Sequence, residues 1–134
     1  MIELYIDAAT AGNPGPSAIG IFIKGEGQLI KIGESIGEND NHTTEFIALV
    51  RGLTEALKLS TGMISVRSDS KIVVASIEKE YVKNEAYKPY LEEALELSKK
   101  FDLFFIKWIP SSENRAADTL AREALRSYQK KQTR

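Results

Sequence analysis

Hydrophobic and polar residues alternate along the first third of the chain. This alternation predicts three strands, at residues 2–8, 17–24 and 28–36. The glycines of Gly25-Glu26-Gly27 predict a hairpin turn between the second and third strands. The polar residues 37–42 predict a loop. Three strands joined by short connections are typical of an antiparallel meander.

The rest of the chain alternates between helices and strands. Helices are predicted from apolar residues at helical spacing, at 43–60, 71–79, 90–101 and from about 114 onward. Strands are predicted from short hydrophobic runs, at 63–67 and 103–109. Residues 81–89 are expected to be irregular, and residues 130–134 to fray. The order βββαβααβα predicts one α/β domain, residues 1–134, with a mixed five-stranded sheet, in which three antiparallel meander strands are followed by parallel strands, and helices on both faces.

Composition narrows the chemistry open to such a domain. The chain has 134 residues, of which 43% are hydrophobic and 28% charged, as in a soluble globular protein. It has no membrane-spanning apolar run and no signal-peptide pattern, so a cytoplasmic location without membrane association is expected. With no cysteine and one histidine, disulfides and thiolate metal sites are excluded and zinc is disfavoured. A bound metal would therefore have carboxylate ligands, which Mg²⁺ and Mn²⁺ prefer.

The charge balance is not that of a typical nucleic-acid-binding protein. The formal net charge is −1 and the sequence pI is about 5.9, whereas most such proteins are basic. Basic residues gather at 126–134, but a solvated helix end explains them equally well. Charge alone therefore neither identifies nor excludes a nucleic-acid substrate, because net charge averages over all faces.

Four acidic residues fall where predicted strands end or predicted helices begin. Asp7 ends the first strand and Asp69 the fourth, while Glu45 lies in the first turn of the first helix and Asp118 early in the last. In a βα sheet these points meet at one edge, where ligands usually bind. The four carboxylates are therefore positioned to converge.

Three of the acids have a simpler interpretation when taken alone, and Asp118, also early in its helix, is harder to dismiss. Asp7 suits a turn, Asp69 suits a helix N-cap, and Glu45 suits the positive end of a helix dipole. Taken together, however, carboxylates that point at one place repel each other unless cations neutralise them. The set therefore favours a site for one or two Mg²⁺ ions. Two such ions about 4 Å apart activate a water and stabilise the leaving oxygen of a phosphodiester.

Four segments in order resemble the motifs of type 1 ribonuclease H. DAATAGNPGPSAIGI resembles the family's opening D-G-S/A-x-x-x-N-P-G, and NHTTEFIAL resembles its T-N-N-x-x-E-x-x-A helix start. RSDSKIVV resembles the strand-end D-S-x-x-V, and ENRAADTLAREAL resembles N-x-x-A-D-x-L-A of the last helix. Each match is weak alone, but together they are specific and cover nearly the whole chain.

The resemblance implies an endonuclease that hydrolyses the RNA strand of RNA–DNA hybrids by two-metal-ion catalysis, using Mg²⁺ with Mn²⁺ as a possible substitute. The family's four catalytic, metal-binding carboxylates match Asp7, Glu45, Asp69 and Asp118.

The resemblance also implies substrate contacts outside the carboxylate set. Asn13 and Asn41 match positions that meet the minor groove of the hybrid. An amide there both donates to and accepts from a 2′-hydroxyl, which only RNA carries. Lys71 stands where many members have glutamine, and a phosphate contact is expected from it. The chain is expected to act as a monomer.

Several positions depart from the family pattern. Ala8 replaces a usual glycine, Asp40 and His42 replace a usual threonine and asparagine, and loop 110–113 lacks the family's histidine. These departures leave open an alternative, a catalytically weak or inactive domain of the same fold that binds nucleic acid or a protein partner. A nuclease of the same superfamily acting on structured DNA is a third hypothesis, against which the predicted 2′-hydroxyl contacts argue.

Two further interpretations concern single side chains. His42, near a helix start, is interpreted as a polar cap or surface residue and not as a ligand. Phe104, Phe105 and Trp108 lie in the last predicted strand and are interpreted as core residues, not as a platform for base stacking.

Overall fold

The computed structural model describes residues 1–132, and five strands form one mixed sheet. The strands are β1 (Ile2–Thr10), β2 (Gly15–Gly25), β3 (Gln28–Asn39), β4 (Met63–Ser68) and β5 (Leu103–Trp108). Their order in the sheet is β3-β2-β1-β4-β5. The pairs β1–β2 and β2–β3 are antiparallel, and the pairs β1–β4 and β4–β5 are parallel. The predicted α/β fold with a mixed sheet is confirmed.

Four α-helices connect or follow these strands. They are α1 (Asn41–Leu57), α2 (Lys71–Lys79), α3 (Lys88–Ser98) and α4 (Arg115–Gln132), with 3₁₀ turns at Glu85–Tyr87 and Ser111–Glu113. The order of the elements agrees with the prediction, and α2 has the predicted bounds. Fraying from Lys130 was predicted, but α4 remains helical through Gln132. The last two residues of that prediction, 133 and 134, lie outside the described part of the chain.

The sequence predicted a loop at residues 37–42, and this prediction is wrong. β3 runs on to Asn39, because β2 is long enough to pair with it as far as Gly15. α1 then begins at Asn41 with Asp40 as its N-cap. The Asp40 carboxylate accepts hydrogen bonds from the Thr43 backbone N–H at 2.7 Å and from the Thr43 hydroxyl at 2.8 Å. Asp40 therefore satisfies one of the backbone N–H groups that the first turn of α1 leaves without an intrahelical partner.

Alternation along β1 sends its side chains to opposite faces of the sheet. Leu4 and Ile6 are buried against α1, where a Cβ on Gly52 would lie 3.0 Å from the Leu4 side chain. Asp7 points to the opposite face and pairs with Gly20 of β2. A Cβ on Gly20 would lie 1.9 Å from the Ala117 carbonyl oxygen of α4. α1 and α4 therefore cover opposite faces, and Asp7 lies on the α4 side.

The main core lies between the sheet and the face that α1, α2 and α3 cover. It is built from aliphatic side chains of β1, β2 and β4 and from apolar residues of these helices, including Ile21, Phe46, Leu53, Val66, Val73 and Leu91. The apolar stripe predicted for the first helix supplies Phe46, Leu49 and Leu53 to this core.

The prediction that the aromatic residues of the last strand are core is wrong for two of the three. Phe105 is 53% exposed and Trp108 is 43% exposed, while Phe104 is partly buried and packs against the core. β5 is an edge strand. α4 packs on β1, β2 and β3, which lie toward the opposite edge of the sheet. The outer face of β5 therefore stays open. Within residues 1–132, no helix is both long and apolar enough to cross a membrane.

The contact between Gly20 and α4 gives a prediction for stability. Gly20→Ala places a methyl group against the helix backbone, and we expect it to lower the free energy of unfolding by about 1–3 kcal/mol. Gly62→Ala is the matched control, because its Cβ would meet only the Ser60 hydroxyl at 3.3 Å. The control should change the free energy of unfolding by less than about 1 kcal/mol. Urea denaturation measures both, and equal midpoints for the two variants would contradict the packing argument.

Candidate active site

The sequence placed Asp7 at the end of the first strand. In the structure it lies inside β1, because the strand continues to Thr10. Its carboxylate accepts a hydrogen bond from the backbone N–H of Ala8 at 2.8 Å. Burial, followed by the negative charges of Asp69 and Asp118, raises the pKa of Asp7 from 3.8 to about 8, although the Ala8 hydrogen bond lowers it. A carboxyl group with this pKa retains its proton at neutral pH unless a cation compensates the charge.

Glu45 lies in the second turn of α1, because the helix begins at Asn41. The first turn contains no acidic residue, so the interpretation of Glu45 as a helix-dipole partner is wrong. Its side chain is 16% exposed, and its Oε1 lies 2.8 Å from Nδ1 of His42. Burial raises the pKa of Glu45 and the charge of Asp69 raises it further, whereas hydrogen bonds from His42 and the Ser70 hydroxyl lower it.

Asp69 follows β4 directly, but it is not the N-cap of α2. That role belongs to Ser70, whose hydroxyl accepts a hydrogen bond from the Val73 backbone N–H at 3.3 Å. The Asp69 backbone carbonyl accepts a hydrogen bond from the Trp108 indole at 3.1 Å. Because Ser70 caps the helix, the Asp69 carboxylate is not engaged at the start of α2, and its Oδ2 lies 3.5 Å from Nδ2 of Asn114.

Asp118 lies in the first turn of α4 and approaches Asp7 from the helix side of the sheet. Its side chain is 35% exposed and accepts a hydrogen bond from Nε of Arg122 at 2.9 Å. A hydrogen bond between the side chains of Asp7 and Asp118 contributes to the raised pKa of Asp7. The Asp118 carboxylate therefore interacts with both the buried Asp7 and the exposed guanidinium of Arg122.

The four predicted acids lie at one edge of the sheet. One small cleft is lined by Asp7, Glu45 and Asp69 together with Ile6, Ala48 and Ser68. The charge of Asp69 acts on both Asp7 and Glu45, and Asp118 acts on Asp7. The structure thus brings the four residues into one electrostatic network.

The side chains of this network are not gathered into a closed coordination shell. Among residues 1–132, no group of three or more His, Cys, Asp or Glu side chains is arranged to hold a metal ion. The donor chemistry nevertheless fits a hard cation, since the network offers carboxylate oxygens. The raised pKa of Asp7 marks a charge conflict that a divalent cation would relieve.

The predicted substrate-binding residues divide into two places. Asn13 and Asn41 are exposed and adjacent, because Asn13 Oδ1 accepts the Asn41 backbone N–H at 2.9 Å. Lys71 is exposed at the start of α2, with its ammonium nitrogen 5.2 Å from the centre of the Trp108 ring. His42 is a surface residue, as predicted, but it also contacts Glu45.

The sequence interpretation missed three residues that contact the acids. Arg122 is four residues after Asp118, a spacing that predicts an ion pair on a helix. The Ser70 contact with Glu45 has no such signal, because it joins α2 to α1. Asn114 belongs to a quoted motif, but its position beside Asp69 depends on residues far apart in the chain.

Comparison with known proteins agrees with this architecture. Residues 5–124 match the family model described as reverse transcriptase-like. The chain is 45% identical over 130 residues to the protein of Enterococcus faecalis named "Putative hydrolase EbsB", and the match covers 96% of each protein. It is 34% identical over 130 residues to ribonuclease HI of Halobacterium salinarum, which covers 92% of this chain and 64% of that protein.

A solved structure shows the same fold. The crystal structure of LC11-RNase H1 in complex with RNA/DNA hybrid aligns with a TM-score of 0.87 and 29% sequence identity, covering 96% of this chain and 99% of that one. The family match over residues 5–124, together with these similarities, shows that the chain belongs to the ribonuclease H family.

Proposed function

We propose that this protein is an endoribonuclease that hydrolyses the RNA strand of RNA–DNA hybrids. The observation that carries the proposal is the network of Asp7, Glu45, Asp69 and Asp118 at one edge of the sheet. These are the residues that match the family's catalytic motifs. The similarity to a ribonuclease H1 that was crystallised with an RNA/DNA hybrid supports the choice of substrate.

We infer that the four acids hold divalent cations, with Mg²⁺ as the natural cofactor and Mn²⁺ as a substitute. When bound, such ions polarise the phosphate and lower the pKa of a water nucleophile. The protein's part is to keep the carboxylates ionised and oriented. His42 and Ser70 stabilise the ionised form of Glu45, and Arg122 donates to the Asp118 carboxylate. These contacts orient two of the acids from outside the cleft.

The exposed amides supply discrimination between RNA and DNA. Because the side-chain Oδ1 of Asn13 already accepts the Asn41 backbone N–H, the side-chain NH₂ group of Asn13 remains as a donor. A donor at this place suits a ribose 2′-hydroxyl, which a deoxyribose lacks. The same hydrogen bond ties the loop after β1 to the start of α1, so the Asn13 side chain is held beside the backbone of Asn41.

A groove beside His42 provides a surface for the nucleic-acid backbone. It has a volume of about 460 Å³, and its lining includes Lys79, Tyr81, Lys83 and Tyr87. The groove begins at the residue that contacts Glu45, so a strand bound there would continue past the candidate active site. The two lysines suit contacts with phosphates, and the two tyrosines suit contacts with sugars or bases.

The alternative is a weak or inactive domain that binds nucleic acid or a protein without cleaving. Two observations favour it. Asp40, which replaces the family's threonine, is engaged by Thr43 as a helix cap and adds negative charge near the substrate surface. The 3₁₀ turn Ser111–Glu113 stands where the family has its loop histidine. Slow turnover is therefore expected from an active enzyme, since a proton-transfer group is missing.

Cleavage decides between the two functions. We expect wild-type protein with Mg²⁺ to cut only the RNA strand of a strand-labelled hybrid, and to leave duplex RNA and duplex DNA intact. Asp69→Asn should reduce the rate at least about 100-fold, because it removes a charge from the proposed cation site. Asp102→Asn is the control, since Asp102 is exposed and precedes β5. A folded wild-type protein that binds hybrid but cuts nothing with Mg²⁺ or Mn²⁺ would establish the alternative.

The raised pKa of Asp7 predicts how stability depends on pH without metal. The unfolded chain releases the Asp7 proton near pH 3.8, whereas the folded chain retains it to about pH 8. The free energy of unfolding should therefore fall as pH rises between these values, and the full decrease should be present above pH 8. Asp7→Asn removes the titrating group, so it should become increasingly more stable than wild type from pH 4 to pH 8. Thermal unfolding in EDTA measures the difference, and an advantage that does not grow with pH would contradict the prediction.

The lysine groove predicts a change in salt dependence. Lys83→Ala should raise KM for hybrid and reduce the slope of log KM against log salt by about 1, because one phosphate contact is lost. Lys100→Ala removes the same charge just after α3 and should leave the slope unchanged. Initial rates at several KCl concentrations measure both slopes. Equal slopes for the two variants would place the substrate backbone outside this groove.

A further inference from the structure

Asn114 connects three parts of the candidate active site. It lies immediately before α4 and is 1% exposed. Its side-chain Nδ2 donates to the backbone carbonyl of Ile6 at 2.8 Å and lies 3.5 Å from Oδ2 of Asp69. Its backbone carbonyl accepts the N–H of Asp118 at 3.1 Å. One residue thus contacts the strand that carries Asp7, the Asp69 carboxylate, and the backbone of Asp118.

The orientation of the Asn114 amide follows from its partners. A backbone carbonyl only accepts hydrogen bonds, so the NH₂ group must face Ile6, and the same group then faces Asp69. The other half of the amide is less well satisfied, because Oδ1 is buried and has no hydrogen-bond partner within residues 1–132. A buried acceptor without a partner lowers stability. Packing alone therefore gives a poor reason for an amide at this position.

A neutral donor is suited to a place beside a candidate cation site. Lysine or arginine near Asp69 would neutralise the carboxylate and compete with a metal ion, whereas another acid would add to the repulsion on Asp7. Asparagine contributes a hydrogen bond and adds no charge. It can therefore orient the Asp69 carboxylate and leave its negative charge available to a cation.

We propose that Asn114 is a positioning residue, which holds Asp7, Asp69 and Asp118 in the relative arrangement that binds divalent metal. The inference rests on the proposed function of the four acids. Asn114 acts through the carboxylates and touches neither the metal nor the substrate. Its contacts join β1, the end of β4 and the start of α4, which are distant in sequence. β1 and β4 are already paired in the sheet, and Asn114 adds polar contacts from the start of α4 to both.

Asn114→Leu tests the proposal, because leucine has a similar shape and no polar atoms. Asn39→Leu is the matched control, since Nδ2 of Asn39 also donates to a backbone carbonyl, that of Ile36 at 3.1 Å, away from the four acids. We expect Asn114→Leu to weaken Mg²⁺ binding about 10–100-fold and to lower kcat by a similar factor. KM for the hybrid should change less than about 2-fold. Asn39→Leu should keep the wild-type Mg²⁺ affinity and kcat.

Mg²⁺ affinity is measured by titration of backbone amide NMR signals, and kcat and KM by hybrid cleavage. A folded Asn114→Leu protein with wild-type Mg²⁺ affinity and kcat, even at a lower melting temperature, would overturn the proposal and leave a structural role. If wild type binds Mg²⁺ but does not cleave, the proposed function fails, while the affinities of the two variants still decide the role of Asn114.

A measurement on the wild-type protein covers the case in which Asn114→Leu does not fold. The side-chain NH₂ signals of Asn114 should shift on Mg²⁺ addition and saturate with the same Kd as the backbone signals of Asp7 and Asp69. The NH₂ signals of Asn39 serve as the internal control and should stay in place. Asn114 signals that do not move when Mg²⁺ saturates the backbone shifts would show that its amide is not coupled to the site.

Discussion

The close approach of α4 to the backbone of β2 and β3 determines where the candidate active site forms. The helix reaches the sheet at Gly20 and Gly33, where a Cβ would lie 1.9 Å and 2.6 Å from carbonyl oxygens of Ala117 and Leu120. Only glycine permits such a distance. Because Gly20 pairs with Asp7, this contact brings the first turn of α4 beside the carboxylate of β1. A side chain on either glycine would push the helix, and Asp118 with it, away from Asp7.

This packing creates an electrostatic conflict in the folded protein. Asp7 is buried between Asp69 and Asp118, and the consequence is a pKa of about 8. The fold offsets part of the repulsion at its margins, where Arg122 donates to Asp118 and where His42 and Ser70 act on Glu45. At the centre, among residues 1–132, the interaction that favours ionised Asp7 is the hydrogen bond from the backbone N–H of Ala8. The repulsion is thus concentrated at the carboxyl group of Asp7, where a bound divalent cation would stabilise the ionised form most.

Local patterns in the sequence predicted most of the fold, but they did not predict contacts between distant segments. The bounds of α2 follow from its apolar spacing and the Ser70 cap, both of which are local. The length of β3 depends instead on how far β2 extends beside it, so the polar segment 37–42 looked like a loop. The exposure of Phe105 likewise depends on which strands α4 covers, which no periodicity within β5 reveals.

The same distinction applies to the candidate site and to the departures from the family pattern. The four acids are recognisable from motif spacing, whereas the roles of Asp40 and His42 become clear only in the structure. Asp40 has both carboxylate oxygens engaged by Thr43, so the acid that adds negative charge near the substrate surface also caps the start of α1. His42 bonds to Glu45 from one turn earlier on the same helix. His42 therefore contacts Glu45 directly, whereas Asp40 caps the helix that carries it. The missing loop histidine is a different kind of departure, since the turn Ser111–Glu113 carries a carboxylate, Glu113, and no imidazole. His42 thus bears on how Glu45 is held and Asp40 on how α1 begins, whereas the loop bears on the turnover of the proposed enzyme.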